Sequence, residues 1–252
     1  MDLWTALGLL TLALTVGIYG SVIGAGGGFL MVAALTLLFG FDGATAVGTS
    51  VVTTLFIQAT GAYTYDRKGL VDRATASWFV LGSVPVAFAS AAWLASRIPQ
   101  RTFDLIVGVL LLTLAAFVVF VRTPSTAEGE ILEPRRRPLT ASGAAIGVLS
   151  GGLGVGAGLV TVPLLGWLQR LSAHRAAATT TATGAVAGLA ASVGHLVASN
   201  VDLSAILFLI AGAIVGGRLG ASNAKRLSAK TVVVLLAAGL VCAGLPLLVR
   251  AA

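Results

Sequence analysis

Charge, cysteine and histidine are what this chain has least of. Of its 252 residues only 10% are charged, against about 25% in a soluble domain. No carboxylate lies deep in an apolar stretch. Asp42, Asp66, Asp72, Asp104 and Asp202 stand near stretch ends, and the glutamates gather between 128 and 133. That leaves no carboxylate proton relay of the kind common in pumps, and no paired catalytic acids. The single cysteine, Cys242, excludes an internal disulfide, and with two histidines, His174 and His195, a structural zinc site lacks its ligand set. No Ser/His/Asp grouping is present, so the chain does not read as an enzyme, and no cofactor or metal is implied. The net charge is +7, yet no stretch interleaves basic and aromatic residues as an RNA-binding surface would. The N-terminus, Met1-Asp2-Leu3-Trp4, lacks a basic n-region and does not read as a cleaved signal peptide.

What is abundant is apolar length. Hydrophobic residues make up 57% of the chain, and mean hydropathy is +1.00. Apolar segments run over 4–23, 29–40, 44–65, 74–95 and 103–121, then 139–150, 159–169, 174–198, 203–224 and 231–249. The expected fold is therefore all-α and polytopic, in the cell (inner) membrane, with the lipid bilayer as its solvent. Between the two sets of segments, 123–138 holds three prolines, three glutamates and Arg135-Arg136-Arg137, the composition of an exposed linker. The chain divides into a first repeat over 1–122, a cytoplasmic linker over 123–138 and a second repeat over 139–252.

The repeat rests on an ungapped offset of 130 residues. Gly17 matches Gly147, and Gly24, Gly26 and Gly28 match Gly154, Gly156 and Gly158. Thr49 and Thr53 match Thr179 and Thr183, Val71-Asp72 matches Val201-Asp202, and Gly82 matches Gly212. An ordered series at one offset reads as internal duplication. Its centre is a glycine-rich motif, Gly24-Ala25-Gly26-Gly27-Gly28 and again Gly154-Val155-Gly156-Ala157-Gly158, inside apolar surroundings. Such breaks are tolerated at membrane depth only where they line a protein-enclosed cavity, and paired breaks in two halves point to a transporter's binding site.

Segments 139–150 and 159–169 give about 18 Å of helix each, too short to cross alone. As a re-entrant hairpin they leave three crossings per half, which inverts the halves; as one broken crossing they leave the halves parallel. With hairpins and the linker inside, the inner side holds Arg67, Lys68, Arg73, Arg122, Arg135 to Arg137, Arg170, Arg175, Arg218, Lys225, Arg226 and Lys230. The outer side holds only Arg97, Arg101 and Arg250. The parallel arrangement divides these cations evenly, so the positive-inside rule favours inverted repeats, each a hairpin plus three transmembrane helices. The length of 4–23, enough to span by itself, runs against that reading.

A hairpin aims the N-terminus of its second helix, with free N–H groups and a positive dipole end, at mid-membrane. Gly26, Gly27, Gly28 and Phe29, with Gly156, Ala157 and Gly158, are thus candidates for holding a small anion without a charged side chain. The same glycines also suit close helix packing, as do Gly212, Gly216 and Gly220, within the chain or in a homo-oligomer. Thr49, Ser50 and Thr53, and Thr179, Thr180 and Thr183, share helix faces beside the motifs. Their hydroxyls can donate to an anion or bond back to the preceding turn. Gln58 is a rarer intramembrane polar residue. His195 and Arg218 are candidates for gating or coupling, against an interfacial histidine and a snorkelling arginine.

Taken together, Gly24-Ala25-Gly26-Gly27-Gly28-Phe29-Leu30, Ala46-Val47-Gly48-Thr49-Ser50, Gly151-Gly152-Leu153-Gly154-Val155-Gly156-Ala157-Gly158 and Val162-Pro163-Leu164-Leu165 resemble the sulfite exporter TauE/SafE family, also called the toluene sulfonate uptake permease family. The resemblance covers nearly the whole chain. It departs at Val32-Ala33, where the family has Val-Pro, and at Ala157, where the first motif has Gly27. It implies a carrier of sulfite or sulfonates, with export favoured because an inside-negative potential expels a monoanion. An anion channel, a proton-coupled uptake permease and a membrane-embedded assembly subunit are the alternatives.

Overall fold

The computed structural model describes residues 2–120, 133–156, 158–224 and 229–251, without the side chains of 120, 229, 230, 232 and 233. It is all-helical, with no strand among the described residues. The first half holds α1 (Leu3–Ile23), α2 (Gly28–Leu38), α3 (Gly43–Asp66), α4 (Arg73–Trp93) and α5 (Gln100–Phe120). The second holds α6 (Arg136–Leu153), α7 (Gly158–Gln169), α8 (Ala173–Val197), α9 (Leu203–Asn223) and α10 (Ala229–Ala251). Six helices, α1, α4, α5, α8, α9 and α10, are long and apolar enough to cross a membrane. Leu3, Leu81, Leu105, Leu207 and Val249, all more than half exposed, belong to an apolar outer surface suited to lipid. Trp4, Trp93 and Trp167 are exposed near helix ends, where an aromatic belt sits. The protein is a multi-pass membrane protein.

The helix lengths correct one expectation. The segment expected as 139–150 is an 18-residue helix, α6, about 27 Å long. It starts at Arg136 because Pro138 falls in its first turn, where the missing N–H is harmless. Arg136 lies 4.9 Å from the Trp78 ring centroid. With α1 at 21 residues, both first arms have close to crossing length. Only the second arms, α2 with 11 residues and α7 with 12, are half-helices. Gly143, Gly147 and Gly151 stay helical in α6 because each lies against the backbone of α4, at Phe79, Ser83 and Ala87.

The 130-residue offset reappears in the contacts. A Cβ on Gly82 would overlap the Thr140 carbonyl, and one on Gly212 would overlap that of Leu10, which stands 130 residues before Thr140. Along α9, Gly212, Gly216 and Gly220 meet Leu10, Leu14 and Ile18 of α1 in that order, so the two helices run parallel. These three glycines therefore serve contact within the chain. By the same test α4 and α6 run parallel, whereas Gly108 and Gly244 place α5 and α10 antiparallel. Helices α3 and α8 cross antiparallel in the middle, Gly61 against Thr181 and Leu55 against Gly188.

Asp72 and Asp202 each precede an apolar run and cap α4 and α9, accepting from Thr75 N–H at 3.1 Å and from Ala205 N–H at 3.1 Å. The Ser204 hydroxyl, 2.6 Å from Asp202, holds that carboxyl below the usual carboxylate range. The expected linker through 132, with Arg122, Ala157, Lys225 and Arg226, lies outside the described residues.

Candidate functional site

Both glycine loops turn by left-handed backbone. Gly24, Gly26 and Gly27 have φ of 72°, 70° and 75°, and Gly154 and Gly156 have φ of 64° and 82°. Only glycine adopts such angles freely. The loops meet: a Cβ on Gly28 would lie 2.6 Å from the Gly154 carbonyl oxygen, and one on Gly156 would lie 2.9 Å from that of Ala25. Two motifs 130 residues apart thus touch at the centre of the bundle.

The first loop is less open to a ligand than its composition promised. The N–H groups of Gly24, Ala25 and Gly26 all donate to the Gly20 carbonyl, closing the end of α1. What α2 leaves unbonded within the helix is its first turn, Gly28, Phe29 and Leu30. The Phe29 side chain is fully buried and packs edge-on to Tyr19, with ring centroids 6.4 Å apart.

Most of the candidate hydroxyls are engaged in structure. Thr49 Oγ1 accepts from the Asp202 N–H at 3.0 Å, and Thr179 Oγ1 accepts from the Asp72 N–H at 3.0 Å. These bonds are the same bond repeated at the offset, each tying the start of one half's fourth helix to the other half's third. Thr53 and Thr183 bond back to Thr49 and Thr180 carbonyls at 2.8 and 2.9 Å. Ser50 donates to the Gly28 carbonyl at 3.1 Å. Thr180, its counterpart, is buried with an unpartnered hydroxyl.

A cavity of about 30 Å³ lies beside the meeting loops, lined by Val51, Thr54 and Gln58 of α3, Ser150 of α6, Gly154 and Gly156 of the second loop, and Gly184, Ala187, Gly188 and Ala191 of α8. That is room for ordered water, so an organic anion needs its walls to part. No charged side chain lines it. Gln58 is 6% exposed, and its amide has no hydrogen-bond partner among the described residues. Of the sequence candidates, the structure brings Gln58 and Gly156 to this cavity and places Gly26 against the Gln58 amide. It keeps Thr49, Thr53, Thr179 and Thr183 in helix ties.

The cavity's Thr54, Ser150, Gly184 and Gly188 were not among the candidates. Their signal was helical spacing: Thr54 stands four before Gln58, Ser150 four before Gly154, and Gly184 four before Gly188, so each pair shares a face.

His195 is fully buried within the protein. Its Nε2 lies 2.8 Å from the Gly151 carbonyl, three residues before the second loop, and its Nδ1 is unpartnered. This end of α8 packs on α4, where Gly194 lies against Phe88 and Ala91, and α6 brings the Gly151 carbonyl to the ring. Arg218 is exposed on α9 beside Val215 and Leu219, away from the cavity.

The family model described as sulfite exporter TauE/SafE matches residues 9–247. The chain is 28% identical to the probable membrane transporter protein YunE of Bacillus subtilis, over 95% of this chain and 96% of that one. It is 27% identical to the probable membrane transporter protein y4hK of Sinorhizobium fredii, over 96% of this chain and 98% of that one. A second Bacillus subtilis protein, the probable membrane transporter protein YdhB, is 29% identical over 81% of this chain and 84% of its own. No solved structure matches the chain. With a family match from the first helix to the last, on a multi-pass bundle whose two glycine loops meet at its centre, the chain belongs to the TauE/SafE family of membrane transporters.

Proposed function

We propose that this transporter carries small sulfur-containing organic anions, sulfonates or sulfite, and exports them by alternating access. The observation that carries this reading is the uncharged cavity at the meeting of the two loops, walled by the Gln58 amide, the Thr54 and Ser150 hydroxyls and the Gly154–Gly156 backbone. The Gln58 amide can donate to a compact oxyanion directly, and the two hydroxyls can do so on turning from the Val51 and Gly147 carbonyls they now meet at 3.2 and 3.4 Å; no fixed cation holds the anion too tightly to release. The direct contact of the loops supports a carrier over an open channel.

The repeats, 1–122 and 139–252 about the 123–138 linker, are proposed to lie inverted in the membrane. Helix α6 runs parallel to α4, and α4 follows α1 after a hairpin and a crossing, so α6 runs opposite to α1. The basic residues of the loops favour the same arrangement. Export follows from the electrical gradient: an inside-negative potential expels a monoanion by about 2.3 kcal/mol per 100 mV, and the cavity holds no carboxylate for coupling.

The test is proteoliposomes loaded with radiolabelled methanesulfonate and sulfite under an imposed potential. Saturable, voltage-driven efflux is expected. Efflux without saturation identifies a channel, and the absence of flux removes the reading. Buried His195, with its unpartnered Nδ1, gives the proton-coupled variant a specific residue. Efflux that stops when only the pH gradient is collapsed establishes that variant.

A further inference from the structure

The cavity exists on one side of the internal two-fold relation and is filled on the other. Its walls Thr54, Gly156 and Gly188 correspond, at the 130-residue offset, to Gly184, Gly26 and Gln58. On the first-half side the Gln58 amide occupies the equivalent space. A Cβ on Gly26 would overlap Gln58 Nε2, and one on Gly184 would overlap Gln58 Oε1. On the second-half side position 188 has no side chain. A Cβ built there meets nothing nearer than Leu55 Cβ at 3.8 Å.

We infer that Gln58 and Gly188 together decide which half of the duplicated site takes the anion and how large that anion can be. This rests on the transport reading above. The Gln58 carboxamide stands in the first-half site, where it mimics a small planar ligand with two donors and one acceptor. The second-half site, against Gly154 and Gly156, is the one left for the substrate. The state of Gln58 is what points to a ligand. The Gln58 side chain is buried, yet its amide opens on the adjoining cavity, so an oxyanion there is an acceptor for its Nε2. The duplication thus yields one site instead of two, because one side chain closes the other.

The experiment compares wild type with Gly188→Ala, Gly188→Gln, Gln58→Gly and the double exchange Gln58→Gly/Gly188→Gln. Each is assayed for methanesulfonate and toluenesulfonate binding by ligand-induced thermal shift, and for efflux from proteoliposomes. The space for a Cβ at Gly188 lets Gly188→Ala fold, and monodisperse elution is required of every variant before it is scored. Gly188→Ala is expected to weaken methanesulfonate binding severalfold and Gly188→Gln by more than tenfold. Gln58→Gly admits toluenesulfonate, which wild type rejects. The double exchange regains methanesulfonate binding over Gly188→Gln by moving the open site to the first half. Methanesulfonate binding that stays within twofold of wild type in both Gly188 variants overturns the inference while leaving transport intact. A wild type that binds neither anion and moves none overturns the transport reading and this inference with it.

Discussion

At the start of α5 the first half is tied to the last helix of the second. Gln100 Nε2 donates to Asp104 at 2.7 Å, the Gln100 side-chain Oε1 accepts the Gly43 N–H, and Arg250 lies 3.5 Å from Asp104 while donating to the Thr36 carbonyl at 3.2 Å. One network thus joins the end of α2, the starts of α3 and α5, and the end of α10. At the offset positions the second half has Lys230 and Val234, and Val234 is 66% exposed. The hairpins differ accordingly. The short helix α2 packs on α3 and α10, whereas α7 packs chiefly on α8. The half with the tie has its site filled by Gln58; the half without it has the cavity. Contacts such as Thr49 to Asp202 and Thr179 to Asp72 recur at the 130-residue offset, while side chains at a few other positions set the halves apart.

Three measurements break or sharpen this comparison. Gly82→Val and Gly212→Val probe what the halves share. Each forces a side chain into the backbone of a parallel neighbour, and each should destabilise by on the order of 3 kcal/mol, the upper end for overpacking. Thermal unfolding in detergent checks it, and a large difference between the two would deny that the contacts are equivalent. Asp104→Ala probes what they do not share. It removes the acceptor of Gln100 and the partner of Arg250 and should cost about 2 kcal/mol, while Val234→Ala, on an exposed face, should stay within about 0.5 kcal/mol. Equal losses would show that the network is not a tie. The smallest effect belongs to Thr49→Ala and Thr179→Ala. Each loses one bond to a capping aspartate's N–H, about 1 kcal/mol, and the two losses should match and add in the double variant, since they break separate bonds.

Much of this was legible in the residues. Apolar length and sparse charge dictate a membrane bundle, and Asp72 and Asp202 ahead of apolar runs are caps that the structure uses. The repeat could be read because a packing contact such as Gly82 on Thr140 must recur wherever the duplicated backbone recurs. The hydroxyls could not be assigned. Thr49 beside a glycine loop looks the same whether it faces an anion or the N–H of Asp202, a residue 153 positions away. Nothing in the place of His195 near a helix end shows that its ring is enclosed and meets the Gly151 carbonyl of α6.

The sequence by itself determined the solvent, the helices and the duplication, because hydropathy, caps and glycine act through neighbours along the chain. The tertiary structure alone decided that the two loops touch and which polar side chains face the cavity beside them. It also decided that the open space lies at Gly188 while Gln58 fills its twin. The reason is physical. A cavity is what is left between side chains from helices far apart in sequence, and its shape is set only when α3, α6 and α8 have packed.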